Sequence, residues 1–260
     1  MIENSLLWKV ENHSFLFGTM HIYNTDLFRL PSILFKLIDS VDIYSPETDN
    51  TVINSNQMLP TITVDDSDYN LQNYFNDNEY LKILDIANAD SNDIKNYKPF
   101  FVIPLIFAQT MPPDSIDKEL LSYAYAKNKT ICEIESFEEQ INAIDKLTFE
   151  AQADLVKNTL LQIEQNNFDE MMLDYKNQDM EALKRSLKDA NPNELFINNI
   201  QKDRNITMAN KIESIINEAR SAFFAFGALH LPDTENAQGI ITILRNKGYK
   251  IESIPFSFEN

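Results

Sequence analysis

The stretch Phe15-Leu16-Phe17-Gly18-Thr19-Met20-His21-Ile22 returns near the other end of the chain as Phe224-Ala225-Phe226-Gly227-Ala228-Leu229-His230-Leu231. Each copy is an apolar run closed by Gly-x-x-His, in a chain of 260 residues that has only three histidines and four glycines. The runs lack polar alternation and are short and aromatic, as expected of strands covered on both faces. Glycine after such a run permits a sharp turn or a close backbone approach, and the histidine then falls just beyond the strand's carboxyl end. In open α/β sheets that edge is where ligands bind. Two equivalent strand ends, adjacent in one sheet, would bring His21 and His230 to a shared metal ion or proton-transfer site. The competing reading of each histidine is a hydrogen-bonded residue near a strand end. His13, in Glu11-Asn12-His13-Ser14, reads as an exposed hairpin residue.

Working outward, Leu6 to Val10 and Ser14 to Phe17 form an expected hairpin, and Leu30-Pro31 introduces a helix to about Asp39. Val41 to Ser45 reads as the next strand. A β-helix-β order places Glu47, just after it, at the same edge as His21. The stretch from about Ser67 to Ala219 has mostly helical periodicity, interrupted by an expected strand from Thr130 to Glu135. The end of the chain reads as a βαβ unit: strand Ala222 to Phe226, helix about Gln238 to Asn246, Gly248 as a stop, and strand Tyr249 to Pro255. The expected fold is therefore α/β. A mixed central sheet carries flanking helices, and a large, mostly helical insertion (about 50–220) separates the two strand-Gly-x-x-His units within one domain, 1–260.

A formal charge of −18 argues against nucleic acid or an anionic membrane as partner. Cys132 is the only cysteine, which excludes an intramolecular disulfide and a thiolate cluster; its setting reads as a strand with the thiol in the core. The opening residues carry no basic region followed by an apolar stretch, and the apolar segment Pro99 to Met111 is too short to span a bilayer. The expectation is a cytoplasmic protein without a membrane segment, although a trimmed signal peptide would leave the same sequence.

The two Gly-x-x-His phrases, Glu47, Lys98-Pro99 before an apolar helix, Asp117 in DSIDKELL, KTICEIESFEEQ, Asp203-Arg204-Asn205 and the closing ALHLP…ITILRNKGYKIESI together resemble the TraB/GumN family, whose animal relatives include the Tiki metalloproteases. The resemblance covers nearly the whole chain. It implies an α/β domain with an inserted helical region and a metal-dependent hydrolytic site acting on a peptide or small-molecule substrate. Carried over residue by residue, the family's motifs fall on Gly18 with His21, Gly227 with His230, and Glu47. Asp117, Glu135, Gln140, Arg204 and Asn205 occupy further family positions. The chain departs from the family after His230, where Leu231-Pro232-Asp233-Thr234-Glu235-Asn236 delays glycine to Gly239.

On this reading His21, Glu47 and His230 bind a divalent ion, Mn²⁺, Co²⁺ or Zn²⁺, and leave a position open for water. Glu135 is the candidate general base if its strand lies beside the histidine strands, and otherwise a capping or surface carboxylate. Arg204 stabilises developing negative charge, fixes a substrate carboxylate, or forms a structural salt bridge. The spacing is not HExxH. A different class is also compatible: a noncatalytic haem- or metal-binding protein on the same scaffold, using the same histidines.

Overall fold

A computed structural model describes residues 4–11, 13–49, 51, 55–165, 167–190, 196–218 and 221–259. Met1 to Glu3, and Ala219 where the helical stretch was expected to end, lie outside the described residues.

The two matching runs are neighbours. Strand β1 (Leu7–Val10) turns back into β2 (Ser14–Thr19), and β3 (Ile43–Pro46) follows helix α1 (Ser32–Asp39). A two-residue β4 (Thr130–Ile131), β5 (Ala222–Gly227) and β6 (Ile251–Ser253) complete a sheet of order β4-β3-β5-β2-β1-β6. β2 and β3 both pair parallel with β5, and β4 pairs parallel with β3. β1 runs antiparallel to β2 and β6. This is the expected mixed α/β sheet. Phe223, Phe224 and Phe226 on the central β5 are all fully buried, which explains why the run has no polar alternation. Burial of each such ring is worth about 1.5–3 kcal/mol.

The β2-α1-β3 connection steps across β5 in one direction, and β5 returns through the helix Ile240–Asn246 to β6 in the other. Right-handed crossovers in opposite directions place the two helices on opposite faces of the sheet. The carboxyl ends of β3, β5 and β2 consequently share one edge, with Thr19 opposite Gly227 and Pro46 opposite Ala225. The two Gly-x-x-His phrases pair one residue out of step, Gly18 facing Phe226.

That stagger gives the two glycines different surroundings. A Cβ on Gly18 would lie 2.6 Å from Leu231 Cδ1 and 2.8 Å from Ala228 Cα, whereas one on Gly227 would meet nothing closer than 3.5 Å. Gly18 is therefore needed for close approach of β2 to the turn that carries His230. Gly18→Ala is expected to cost about 1–3 kcal/mol through overpacking, and Gly227→Ala less than about 1 kcal/mol, since surroundings without a clash leave substitutions nearly neutral. Urea denaturation of the two variants checks the contrast, and equal losses would contradict it.

The insertion is mostly helical and has its own apolar cluster, built around Leu71, Ile83, Val102, Ile106, Val156 and Leu160. The expected strand from Thr130 to Glu135 is corrected to two residues. Pro46 supplies no amide donor, so the reciprocal ladder with β3 stops there. The chain nevertheless continues alongside, with the amides of Cys132, Ile134 and Glu135 donating to the carbonyls of Tyr44, Pro46 and Glu47. Cys132 lies just past this strand, half-buried against the main core. Glu135 thus stands beside Glu47, one strand removed from β5. His13 is exposed, as its turn-like setting suggested.

Candidate functional site

Four segments meet at the carboxyl edge of β3, β5 and β2. Glu47 follows β3 directly, with its side chain 8% exposed. Its Oε1 accepts from Arg204 at 2.6 Å and from Gln140 Nε2 at 3.0 Å, and its Oε2 accepts from the Gly227 amide at 2.8 Å. Glu135 is deeper, 2% exposed, and both of its oxygens accept from Arg204. One guanidinium therefore bridges two buried carboxylates.

Local sequence fixes these side chains. Ser136 and Glu139 form a capping box at the start of helix Phe137–Asp145, which sets Glu135 just before the helix and Gln140 in its first turn. Ser115 caps helix Ile116–Ala126 and so places Asp117. Arg204 and Asn205 open helix Asp203–Asn217 immediately after a π-helical turn, Ile197–Lys202. As consecutive residues they point apart: Arg204 reaches the two glutamates, and Asn205 reaches His230.

Both histidines are oriented through Nδ1. His21 Nδ1 lies 3.0 Å from Asp117 Oδ2, and Asp117 Oδ1 accepts a 2.5 Å hydrogen bond from Thr19 Oγ1. His230 Nδ1 lies 2.5 Å from Asn205 Oδ1, while Asn205 Nδ2 donates to the Gln238 carbonyl. A carboxylate can only accept, and the Gln238 contact turns the amide oxygen of Asn205 toward His230. In each ring Nδ1 therefore carries the proton, and Nε2 is the atom left for a ligand.

Charge separates the two imidazoles. The Asp117 carboxylate raises His21 to about 9. Burial, reinforced by the Arg204 charge, lowers His230 to about 4. Burial alone would raise Glu47, but Arg204, the two histidines and the Gly227 amide outweigh it and hold the carboxyl at about 2. Glu135 goes the other way, because its burial exceeds the help it receives from Arg204. In proton NMR titrations His21 is expected to titrate above the ordinary 6.5, by an amount its exposed position limits, and His230 to stay neutral at pH 5; both titrating near pH 6.5 would contradict this. The His230 shift also has a stability consequence. An unfolded histidine takes its proton near pH 6.5 and the folded one only near 4, so His230's contribution is present above pH 6.5 and lost as pH falls toward 4.

A cavity of about 660 Å³ opens at this edge, lined on its polar side by His21, Glu47, Asp117, Gln140 and Arg204. His230 and Glu135 are not among its lining residues. His230 is 8% exposed behind Gly227, where a Cβ would lie 3.5 Å from both His230 Cδ2 and Glu47 Oε2. The condition that the Glu135 strand adjoin the histidine strands is not met, since β3 lies between. Thr19, as the partner of Asp117, was not identified from the sequence, nor was the apolar wall that the insertion supplies to the cavity. The delayed glycine after His230 also has an explanation. Asp233 Oδ1 accepts from the Gly239 amide and Oδ2 from Thr242 Oγ1, and a Cβ on Gly239 would overlap the backbone of Leu231 and Pro232.

For a metal ion, the donor chemistry fits in part. Among the described residues no hydrogen bond engages Nε2 of His21 or His230, and both rings are anchored through Nδ1 as ligating histidines are; His21, held protonated by Asp117, would release its Nε2 proton on binding an ion. Glu47 already accepts three hydrogen bonds, so one oxygen, Oε2, keeps capacity for a further partner. Among the described residues no three His, Cys, Asp or Glu side chains are grouped closely enough to enclose an ion.

No helix among the described residues is long and apolar enough to cross a membrane. No curated protein and no solved structure matches the chain. A family model described as the TraB/PrgY/gumN family matches residues 6–253. With nearly its whole length matched, the chain belongs to the TraB/PrgY/gumN family.

Proposed function

We propose that this protein is a metal-dependent hydrolase that cleaves an amide bond in a peptide or related substrate, with His21, His230 and Glu47 holding a divalent ion. The observation that carries the reading is the matched pair of imidazoles, each delivered by a Gly-x-x-His strand end and each fixed through Nδ1 so that Nε2 faces away from its anchor. Glu47 is an ionised carboxylate within electrostatic reach of both histidines, and Gln140 and Arg204 keep it oriented. A bound Mn²⁺, Co²⁺ or Zn²⁺ would supply an acidified water, with its pKa lowered toward ~7, and would polarise the scissile carbonyl.

Arg204 lines the cavity with its charge prepositioned, so it stabilises negative charge developing on a substrate oxygen. Glu135 accepts a proton only by exchanging its Arg204 contacts, and otherwise serves to position Arg204. Glu135→Gln separates the roles: a general base costs ~10²–10⁴ in kcat with metal content retained, whereas a positioning role appears mainly as lost stability.

The reading is tested by incubating the purified protein with a mixed peptide library under Mn²⁺, Co²⁺ or Zn²⁺, with and without chelator. Cleavage that needs an added ion is expected. Absence of cleavage under every ion, accompanied by a Soret shift with haem that depends on His21 or His230, would replace the hydrolase with a carrier.

A further inference from the structure

The cavity at the sheet edge has two unlike kinds of lining. Polar groups line the edge described above and continue onto helix Ile116–Ala126 as Lys118, Ser122 and Tyr125, while the insertion also supplies an apolar group: Phe100, Leu121, Ile144, Phe196 and Ile200. Phe100 and Phe196 are only partly buried, although burying an aromatic ring is among the larger gains available to a fold. A second cavity of about 210 Å³ lies behind them, lined by Ile103, Phe107, Leu155 and Met171 among others, and the same Phe100 and Phe196 line it as well. The two rings thus line both a space open to the charged edge and a smaller one that is mainly apolar, with Thr159, Gln162, Asn167 and Ser186 also on its wall.

Incompletely covered aromatic rings facing a cavity beside a few convergent polar groups are the usual composition of a small-ligand site. The larger volume lies within the ~300–1,000 Å³ typical of such sites. We infer that the insertion provides a side-chain subsite, with Phe100 and Phe196 as its specificity-determining residues, for a peptide substrate carrying a large uncharged aromatic or aliphatic residue next to the scissile amide. The side chain displaces water from the Phe100–Phe196 wall, and the second cavity accommodates the longer or branched ones. A charged residue packed against Phe100 and Phe196 would lose hydration there. The inference rests on the hydrolase reading for which bond is cut, but not for how the side chain is bound.

The test uses blocked pentapeptides, Gly-Gly-X-Gly-Gly, with X as Phe, Leu, Ala or Glu, in two forms: native, and with the amide after X reduced so that it cannot be hydrolysed. Calorimetric titration of the metal-free protein with the reduced peptides is expected to give Phe and Leu affinities at least about tenfold above Ala, and Glu weaker still, as filling an apolar pocket supplies 10-fold or more. In Phe100→Ala the preference for Phe over Ala is expected to fall to within about twofold, and Phe100→Leu is expected to restore part of it. Circular dichroism confirms that the variants are folded, and the partial recovery in Phe100→Leu separates a subsite from general damage. Equal affinities across X, or a preference untouched by Phe100→Ala, would overturn the subsite. The native peptides keep the two claims apart: Phe100-dependent binding without cleavage under any divalent ion leaves the subsite standing and defeats the hydrolase. Cleavage without preference does the reverse.

Discussion

Arg204→Met is expected to lower the folding stability by about 3–5 kcal/mol at pH 7, the range seen when one partner of a buried ion pair is removed. The residue pairs with two acids at once, Glu47 and Glu135, with side chains 8% and 2% exposed. Methionine replaces the bulk of the arginine stem but leaves both carboxylates in low dielectric without their cation. Domains of this kind have only about 5–15 kcal/mol in total, so the loss would be visible in any denaturation curve. Arg204→Lys should recover little of it, because a single ammonium cannot meet Glu135 through two nitrogens while also reaching Glu47.

The effect has a defined pH dependence. In the parent chain Glu47 is held at about 2, below its ordinary 4.5, so its ion-pair contribution is present above pH 4.5 and lost as pH falls toward 2. Without Arg204 both acids protonate more readily, and the gap between parent and variant should narrow as pH is lowered from 7 to 3. Urea denaturation at several pH values measures this. A loss below about 1 kcal/mol at pH 7, or a gap independent of pH, would contradict the bridging role.

His21→Ala and His230→Ala are each expected to reduce hydrolysis by about a hundredfold or more. Disturbing only the residues behind metal-bound histidines costs 10–100-fold, and removing the ligand itself removes at least that much. The two variants should differ in a second respect. His21 has a side chain 71% exposed and contributes little packing, so His21→Ala should lose only its solvent-screened ion pair with Asp117, at most about 1 kcal/mol. His230 is buried, and its loss leaves Asn205 Oδ1 without a donor, which costs about 1–3 kcal/mol. Kinetics with any cleaved peptide, paired with thermal denaturation, reads both effects. Full activity in either variant would remove that histidine from the site.

The sheet edge was legible in the sequence because it depends on few, scarce residues. Gly18, His21, Gly227 and His230 mark two strand ends, and their pairing in the centre of the sheet follows from apolar runs that tolerate no solvent face. Glu47 followed from β-helix-β order alone. What remained hidden depends on contacts distant in sequence. The bond from Thr19 to Asp117 joins residues 98 positions apart, and nothing in either local sequence specifies it. The truncation of β4 depends on a proline in a different strand, Pro46. Nothing in the sequence singles out Phe100 and Phe196, since periodicity reports which face is apolar and not whether a neighbour covers it. Arg204 was seen as a charge with several possible partners. Only the fold shows that it has two, both buried.

The central claim is that two imidazoles from opposite ends of the chain serve one ion. The most direct measurement is the metal stoichiometry of the parent chain and of the His21→Ala/His230→Ala double variant, by elemental analysis after equilibration with Mn²⁺, Co²⁺ or Zn²⁺ and removal of excess ion. One tightly held equivalent per parent chain and none in the double variant is the expected result. Equal metal content in the two, or peptide cleavage by the parent that persists in excess chelator, would contradict the account.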